Sequence, residues 1–212
     1  MSSARDEILG RIRAVPRTPL AIAEPQYRRV GRLDSAARVD LFAERVAEYR
    51  AQVRVVAPTA VSAAIANACL EHGAVPIGIP TGFPHEWRPD GVELIEDRRR
   101  SIRELDALDG VATGCTVAIA ETGTIVLTGG PSEGRRALTL VPDLHICVVR
   151  STEVVELVPE ALAVVGELVT RERRAATLIS GPSATSDIEL SRVEGVHGPR
   201  TLIVYIVDEE NT

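Results

Sequence analysis

One polar segment, residues 180–189, combines the residue types that bind small anions in proteins. It follows the apolar run 175–179, so the order predicts a strand, a polar loop and the start of a helix. Free backbone N–H groups at a helix N-terminus and nearby hydroxyl groups suit an anion. Ser186 and Glu189 also have the spacing of a capping box, in which both side chains only satisfy backbone groups. The residues alone leave both interpretations open.

Glu121 interrupts an otherwise apolar β run and is followed directly by Thr122 and Gly123. A carboxylate at the end of a buried strand could act as a nucleophile, a base or a ligand. The sequence Glu-Thr-Gly is equally reasonable for a tight turn, in which the carboxylate accepts backbone hydrogen bonds. Both interpretations stay open at this point.

A glycine-rich loop over residues 129–134 delivers two guanidinium groups, those of Arg135 and Arg136. The planar fork of arginine matches a carboxylate or a phosphate in a bidentate manner. The alternative is a solvated loop with ordinary surface arginines, unless the loop folds over the segment 180–189.

Two of the four histidines stand where they could do chemistry. His197 lies next to Gly198 in a loop bounded by glycine and proline, where it could act as an acid, a base or a hydrogen-bond donor, or be purely structural. Asp143, His145 and Cys147 alternate along the chain, so a strand would place them on one face. We expect a hydrogen-bonded histidine and a buried thiol there, and no metal site.

The composition excludes several classes of function. A formal charge of −6 and an aromatic content of 3% give neither the basic footprint nor the stacking surface of a nucleic-acid or membrane-surface protein. All 24 basic residues are arginine, so the chain can neither form a lysine Schiff base nor bind a nucleotide through a Walker A lysine. Cys69, Cys115 and Cys147 form no C-x-x-C pair, unlike the cysteines of a zinc ribbon or an iron–sulfur protein. Three scattered cysteines, with no secretory leader and no long apolar run, predict a cytoplasmic protein.

The periodicity of apolar residues predicts one α/β domain over residues 50–212, preceded by an N-terminal helical arm over 1–49. The arm could pack on a partner and mediate a homodimer. A strand, an Ala-rich helix and a second strand over 53–79 give the βαβ rhythm of a parallel sheet, and residues 116–128 resemble a hairpin. The predicted helices are 3–14, 35–50, 59–71, 101–108 and 160–169, and the predicted strands are 53–56, 74–79, 93–95, 116–120, 125–128, 138–141, 145–149, 175–179 and 201–207.

Four short motifs, in this order along the chain, together resemble the LUD domain family of lactate-utilization proteins. They are Ala-Glu-Thr-Gly-Thr over 120–124, Arg-Ala-Leu with Val-Pro-Asp-Leu-His over 136–145, the segment 180–189, and Gly-Val-His-Gly-Pro over 195–199. The resemblance covers about residues 50–208. A short chain without ferredoxin-type cysteines is similar to the stand-alone members of the family rather than to the longer, iron–sulfur-bearing ones.

The resemblance implies a fold and a pathway. The fold would be similar to the NagB/RpiA/CoA-transferase group, a three-layer α/β/α sandwich with a mainly parallel sheet. The family's bacterial operons encode conversion of L-lactate to pyruvate by a cytoplasmic system. Iron–sulfur clusters are then expected only on partner subunits, and this chain would carry no cofactor of its own.

The resemblance also makes the segment 180–189, Glu121 and His197 walls of one shared pocket. The first hypothesis is a non-redox component of the lactate system that binds a small anion, or its iron–sulfur partner subunits, at this pocket. An alternative is an independent enzyme of the CoA-transferase type with Glu121 as nucleophile, by analogy of fold. A third is a sensor that binds lactate-like acids without turnover, so whether the chain is an enzyme stays open. The predicted catalytic residues are Glu121 and His197, and the predicted ligand-binding residues are Thr122, Gly123, Arg135, Arg136, Ser180, Gly181, Pro182, Ser183, Thr185, Ser186, Asp187, Glu189 and Gly198.

Overall fold

The structure is a computed structural model of the 212-residue chain, and it describes residues 4–15, 27–185, 193–195 and 197–209. The helices are α1 (Ala4–Ala14), α2 (Ser35–Glu48), α3 (Val61–His72), α4 (Ile102–Asp106), α5 (Arg136–Leu140) and α6 (Val158–Glu172). The strands are β1 (Gln52–Val56), β2 (Ile77–Ile79), β3 (Leu94–Glu96), β4 (Gly110–Thr113), β5 (Val117–Ile119), β6 (Thr124–Leu127), β7 (Leu144–Arg150), β8 (Val154–Val155), β9 (Thr177–Ile179), β10 (Ala184–Thr185), β11 (Val193–Glu194) and β12 (Thr201–Val207).

Six parallel strands form the main sheet, in the order β1-β12-β7-β4-β2-β3. Its centre is the pair β7 and β12, which run side by side from Leu144 and Thr201 to Arg150 and Val207. Both strands are nearly continuous runs of buried apolar residues. Such runs are typical of parallel strands that are covered on both faces.

One face of the main sheet packs on α3. The hydrophobic cluster there includes Ile65 of the helix and Ile146, Ile203 and Tyr205 of the strands. The Tyr205 hydroxyl donates a hydrogen bond of 2.9 Å to the carbonyl oxygen of Ala64, so its polar tip is satisfied inside the core. The C-terminus of α3 is closed by Gly73 in the left-handed conformation, with φ of +60°.

The opposite face packs on a second, four-stranded sheet with the order β8-β5-β6-β9. The antiparallel pair of β5 and β6 confirms the predicted hairpin. Its residues alternate between two hydrophobic clusters, because Ala118 and Ile125 contact the cluster of the main sheet while Val117 and Val126 contact α6. The result is the predicted α/β sandwich with a mainly parallel sheet.

Helix α2 shares the hydrophobic core of the two sheets. Its residues Val39, Phe42 and Val46 are buried in the same cluster as Cys147 and Val204 of the main sheet. Asp34 caps the helix by accepting a hydrogen bond of 2.9 Å from the amide of Ala37. Helix α1, by contrast, has no buried residue, and the boundary at residue 50 stays a prediction.

The strand predicted over 138–141 is wrong, because residues 136–140 form helix α5. Helical spacing turns Leu138 and Val141 to one side, where both contact a cluster with Leu105. The helix predicted after residue 185 lies outside the described residues. Directly before it, residues 184–185 form β10, which pairs with β11. No helix in the described part of the chain is long and apolar enough to cross a membrane.

Candidate functional site

A cavity of about 280 Å³ lies between helix α5, strand β9 and the starts of β7 and β12. It brings together seven of the residues predicted from the sequence, which are Arg136, Ser180, Gly181, Pro182, Ser183, His197 and Gly198. The other lining residues are Thr139, Leu140, His145, Thr177, Leu178, Ile179, Pro199 and Leu202.

The loop after β9 is fixed by a close approach to helix α2. Gly181 has φ of +92°, and a Cβ atom built there would lie 2.5 Å from the Cβ of Tyr49. Only glycine fits this position, for steric and conformational reasons. The Ser180 hydroxyl lies 2.8 Å from that of Thr124, which lies 2.7 Å from that of Thr122. A chain of three hydroxyl groups therefore links the cavity to the turn between β5 and β6.

Ser183 ties the two loops of the cavity together. Its hydroxyl oxygen accepts a hydrogen bond of 3.0 Å from the amide of His197. Its own amide donates to the carbonyl oxygen of Pro199 at 2.8 Å, and its carbonyl oxygen accepts from Gly195 at 3.1 Å. This serine thus holds the exposed His197 beside the cavity through the backbone.

His145 forms the floor of the cavity, and its side chain is almost fully buried. Its Nε2 atom shares a hydrogen bond of 2.8 Å with the hydroxyl of Thr113. Burial lowers the pKa of His145 from 6.5 to about 4, so the ring is neutral at physiological pH. It can offer a hydrogen bond to a ligand without adding a charge.

The predicted alternation of Asp143, His145 and Cys147 gives no metal cluster among the described residues. Asp143 instead forms a surface ion pair with Arg200 at 3.5 Å. The Cys147 thiol donates to the carbonyl oxygen of Gly114 at 3.7 Å inside the core. These are the ordinary structural roles of such residues.

The two arginines of the glycine-rich loop have separate roles. Arg135 makes a bidentate contact with Asp97, at 2.6 Å from Nε and 3.0 Å from a terminal nitrogen, and also donates to the carbonyl oxygen of Arg100. Arg136 lines the cavity, and no described residue gives its guanidinium group a hydrogen bond or an ion pair. A guanidinium at a cavity wall can bind a carboxylate or a phosphate through charge-assisted hydrogen bonds.

Glu133 organises the glycine-rich loop and was missed from the sequence. Its carboxylate is buried and accepts hydrogen bonds from the amides of Thr128 at 2.6 Å and Gly130 at 3.0 Å, and from the Thr116 hydroxyl. The signal was a single acid among small residues in the loop 129–134. A buried carboxylate that accepts backbone hydrogen bonds holds such a loop in one shape.

Glu121 and Gly123 do not line this cavity. The Glu121 carboxylate is 51% exposed and lies 3.3 Å from the guanidinium of Arg28 in the N-terminal arm. Gly123, at φ of +58°, packs on α2, where an added Cβ would lie 2.7 Å from the backbone of Arg45. The turn between β5 and β6 therefore faces Arg28 and α2. Its residue Thr122 is linked to the cavity indirectly, through the hydroxyl groups of Thr124 and Ser180.

The remaining predicted ligand residues cannot be assigned to the cavity. Thr185 belongs to the short strand β10, and Ser186, Asp187 and Glu189 lie outside the described residues. The capping-box interpretation of Ser186 and Glu189 therefore stays a prediction.

The arrangement suits binding of a small carboxylate. The Arg136 guanidinium supplies the charge, hydroxyl groups and a neutral imidazole supply hydrogen bonds, and apolar side chains line the rest, namely Leu140, Ile179 and Leu202. The cavity therefore has the few convergent polar groups and the apolar walls of a small-molecule site.

Comparisons with known proteins place the chain in a family. The family model described as LUD domain matches residues 83–207. Lactate utilization protein C of Deinococcus radiodurans is 45% identical over 186 residues, which cover 87% of this chain and 86% of that protein. The protein of the same name from Shouchella clausii is 32% identical over 116 residues, or 54% of this chain and 50% of that protein.

A solved structure supports the same assignment. The crystal structure of a DUF162 family protein from Deinococcus radiodurans, at 1.70 Å resolution, matches with a TM-score of 0.73 and 39% sequence identity. The match covers 83% of this chain and 99% of that one. Sequence and fold thus agree, and this chain belongs to the LUD domain family.

Proposed function

We propose that this protein serves lactate utilization as a non-redox component that binds a small carboxylate, such as lactate, in the cavity beside α5. The names of its relatives from Deinococcus radiodurans and Shouchella clausii support the pathway. The observation that carries the ligand class is the guanidinium of Arg136, which lines the cavity and has no partner among the described residues.

The chemistry of the walls fits a short hydroxy acid. The carboxylate pairs with Arg136, and the hydroxyl group of the acid exchanges hydrogen bonds with Ser180 or Ser183. Because His145 is neutral, it adds no second positive charge and leaves one guanidinium for one carboxylate. This balance favours a monocarboxylate over a dicarboxylate.

The redox step belongs to other subunits in this proposal. Lactate loses two electrons and two protons when it becomes pyruvate, and iron–sulfur partner subunits take up the electrons. The proposal gives no redox role to Cys69, Cys115 and Cys147, which are free thiols buried in the core. The protein then presents or holds the acid for its partners.

Calorimetric titration with L-lactate tests the ligand class. We expect saturable binding to the purified protein and a loss of at least about tenfold in affinity for Arg136→Gln, because a charge-assisted pair is removed. Arg171→Gln is the control, since Arg171 lies exposed on α6. Absence of saturable binding of lactate and pyruvate, or an equal loss in the control, refutes the proposal.

Reconstitution with the iron–sulfur subunits tests the role in the system. We expect this protein to copurify with them and to raise their rate of lactate oxidation, and Arg136→Gln to remove most of that increase. If the subunits oxidise lactate equally well without this protein, the proposed role is wrong even where lactate binds.

The alternative, a CoA-transferase-type enzyme with Glu121 as nucleophile, rests on the exposure of that carboxylate. It predicts a glutamyl thioester with acyl-CoA donors that hydroxylamine traps and that Glu121→Gln removes. The lactate-binding proposal predicts no such adduct. It also predicts that Glu121→Gln binds lactate as the unchanged protein does, because Glu121 lies outside the cavity.

A further inference from the structure

The carboxyl ends of β2 and β4 meet at a change of direction in the main sheet. From β2 the chain continues to β3 on one side, whereas from β4 it continues through the second sheet to β7 on the other side. Such switch points leave a crevice at the carboxyl ends of the strands, where ligands of open α/β sheets bind. The glycine-rich loop closes over this crevice, and its Pro131 and Ser132 carbonyl oxygens accept hydrogen bonds from Gly82 and Gly114.

A cavity of about 480 Å³ remains between that loop and the ends of β2 and β3. Thr81, Arg98, Arg99 and Arg135 contribute to its walls, together with backbone of Gly129 and Gly130. Arg98 also borders an adjoining cavity of about 390 Å³ that is lined by Arg88 and Arg100. We call these two cavities together the arginine crevice. It lies at the opposite ends of the main-sheet strands from the first cavity, beside α5, which contains His145 and Leu202 and which we call the carboxylate cavity.

The carboxylates of the arginine crevice are already engaged. Both oxygens of Asp97 accept from Arg135, and one also accepts from the amide of Arg100 at 3.0 Å. Glu96 accepts from Arg88 at 3.1 Å and from Arg98 at 3.0 Å. With Glu104 beside Arg100 and Glu133 bound to the amide of Gly130, four carboxylates lie beside five arginines. Arginines thus outnumber carboxylates here, in a chain whose formal charge is −6.

Two arginines keep donors that no described residue uses. No described residue gives the Arg99 guanidinium a hydrogen bond or an ion pair, and the buried Nε atom of Arg88 has no hydrogen-bond partner in the described part of the chain. Arg99 also has φ of +65°, an uncommon conformation for a residue with a side chain. Strained backbone of this kind is concentrated at ligand sites.

We infer that the arginine crevice binds the phosphate groups of an organic phosphate, as a second site independent of the carboxylate cavity. Several guanidinium groups that line the same crevice match the non-bridging oxygens of a phosphate, and the chain has no lysine that could do so. The two adjoining cavities leave room for more than a single phosphate. A nucleoside diphosphate is therefore a suitable probe of the site.

Titration of the full chain with adenosine diphosphate tests this site. We expect saturable binding that is tighter than for inorganic phosphate and weakens as salt is added. Arg98→Gln with Arg99→Asn is expected to lower the affinity at least about tenfold, since charge-assisted hydrogen bonds are lost. Asparagine is chosen at position 99 because it tolerates a positive φ. Equal binding of phosphate and adenosine diphosphate would assign the site to the free ion instead of an organic phosphate.

A control variant makes the outcome decisive. Arg171→Gln should bind adenosine diphosphate as the unchanged protein does, because Arg171 lies exposed on α6 and does not line the arginine crevice. If the double variant does not fold, as judged by circular dichroism, Arg99→Asn alone is titrated, with an expected loss of several-fold. Absence of saturable binding to the unchanged protein, or undiminished binding by the folded variants, overturns the inference.

Discussion

The amide of His197 donates a hydrogen bond of 3.0 Å to the hydroxyl oxygen of Ser183. This contact joins the loop after β9 to the loop before β12. The two residues are fourteen positions apart in the chain. Both loops line the cavity beside α5, so this side-chain contact adds to the backbone hydrogen bonds of Ser183 with Pro199 and Gly195 in fixing its shape.

Ser183→Ala is expected to weaken lactate binding about fivefold. The variant leaves the amide of His197 without its acceptor, at a net cost of about 1 kcal/mol, and removes one hydroxyl from the wall. Thr170→Ala is the control, because the Thr170 hydroxyl bonds only within α6. Calorimetric titration of both variants measures the effect. Unchanged affinity in Ser183→Ala would show that the contact does not shape the site.

His145 makes the stability of the fold depend on pH. Its pKa is about 4 in the folded protein because of burial, against 6.5 as its ordinary value. Between pH 6.5 and pH 4, His145 is protonated in the unfolded chain but neutral in the folded protein. Its contribution to stability is therefore complete above pH 6.5 and decreases as the pH falls towards 4. We expect this residue to lower the free energy of unfolding by about 2 kcal/mol from pH 7 to pH 5.

Urea unfolding at the two pH values checks that contribution. His145→Gln keeps a hydrogen-bonding side chain but cannot titrate, so its stability should fall less between pH 7 and pH 5. A variant with the full pH dependence of the unchanged protein would assign the effect to other groups.

Glu133→Ala is expected to destabilise the protein by about 3 kcal/mol. The substitution leaves the buried amides of Thr128 and Gly130 without an acceptor. Glu133→Gln keeps one acceptor oxygen and should cost less. Denaturant unfolding of both variants gives the order of stabilities, and equal stability of the alanine variant and the unchanged protein would contradict the role given to this carboxylate.

Glu156 anchors the N-terminal arm. Its carboxylate accepts from the amides of Leu33 at 2.7 Å and of Arg32, and from the Arg28 guanidinium at 2.9 Å. These backbone hydrogen bonds, with that of Arg28, hold the pKa of Glu156 below its ordinary value. Gly31 allows the approach, since an added Cβ would lie 2.6 Å from the Cβ of Glu156.

Glu156→Ala is therefore expected to speed trypsin cleavage after Arg28 and Arg32 by several-fold. Limited proteolysis with mass spectrometry measures the rate at each bond. Glu167→Ala, at an exposed position of α6, should be cleaved there as slowly as the unchanged protein. Equal rates in all three proteins would mean that the arm is held by other contacts.

Local sequence signals predicted much of the fold. Two apolar runs on either side of the polar Gly123 turn specify the β5–β6 hairpin, and the structure begins α4 with a capping box of Ser101 and Glu104. The failure at 138–141 has a local cause as well. A run of four residues is too short to separate a buried strand from one turn of helix.

The site was only partly accessible to sequence reasoning. The motifs at 180–183 and 197–198 meet because β9 and β12 bring them together, and the family resemblance implied as much. The resemblance also places Glu121 beside them, but Glu121 lies at the turn of the hairpin, outside the cavity and next to Arg28. The roles of Thr113 and Thr124 depend on contacts between distant segments, which no local pattern encodes. Glu133, by contrast, binds amides only three and five residues away.

The contacts of Gly123 and Gly181 with α2 make that helix a template for both loops. A shortened chain that begins at residue 50 would lose the surface against which the two glycines are seated, and would expose the part of the core that Phe42 covers. The smallest fragment that keeps the carboxylate cavity in shape therefore starts no later than Asp34, well upstream of the first strand.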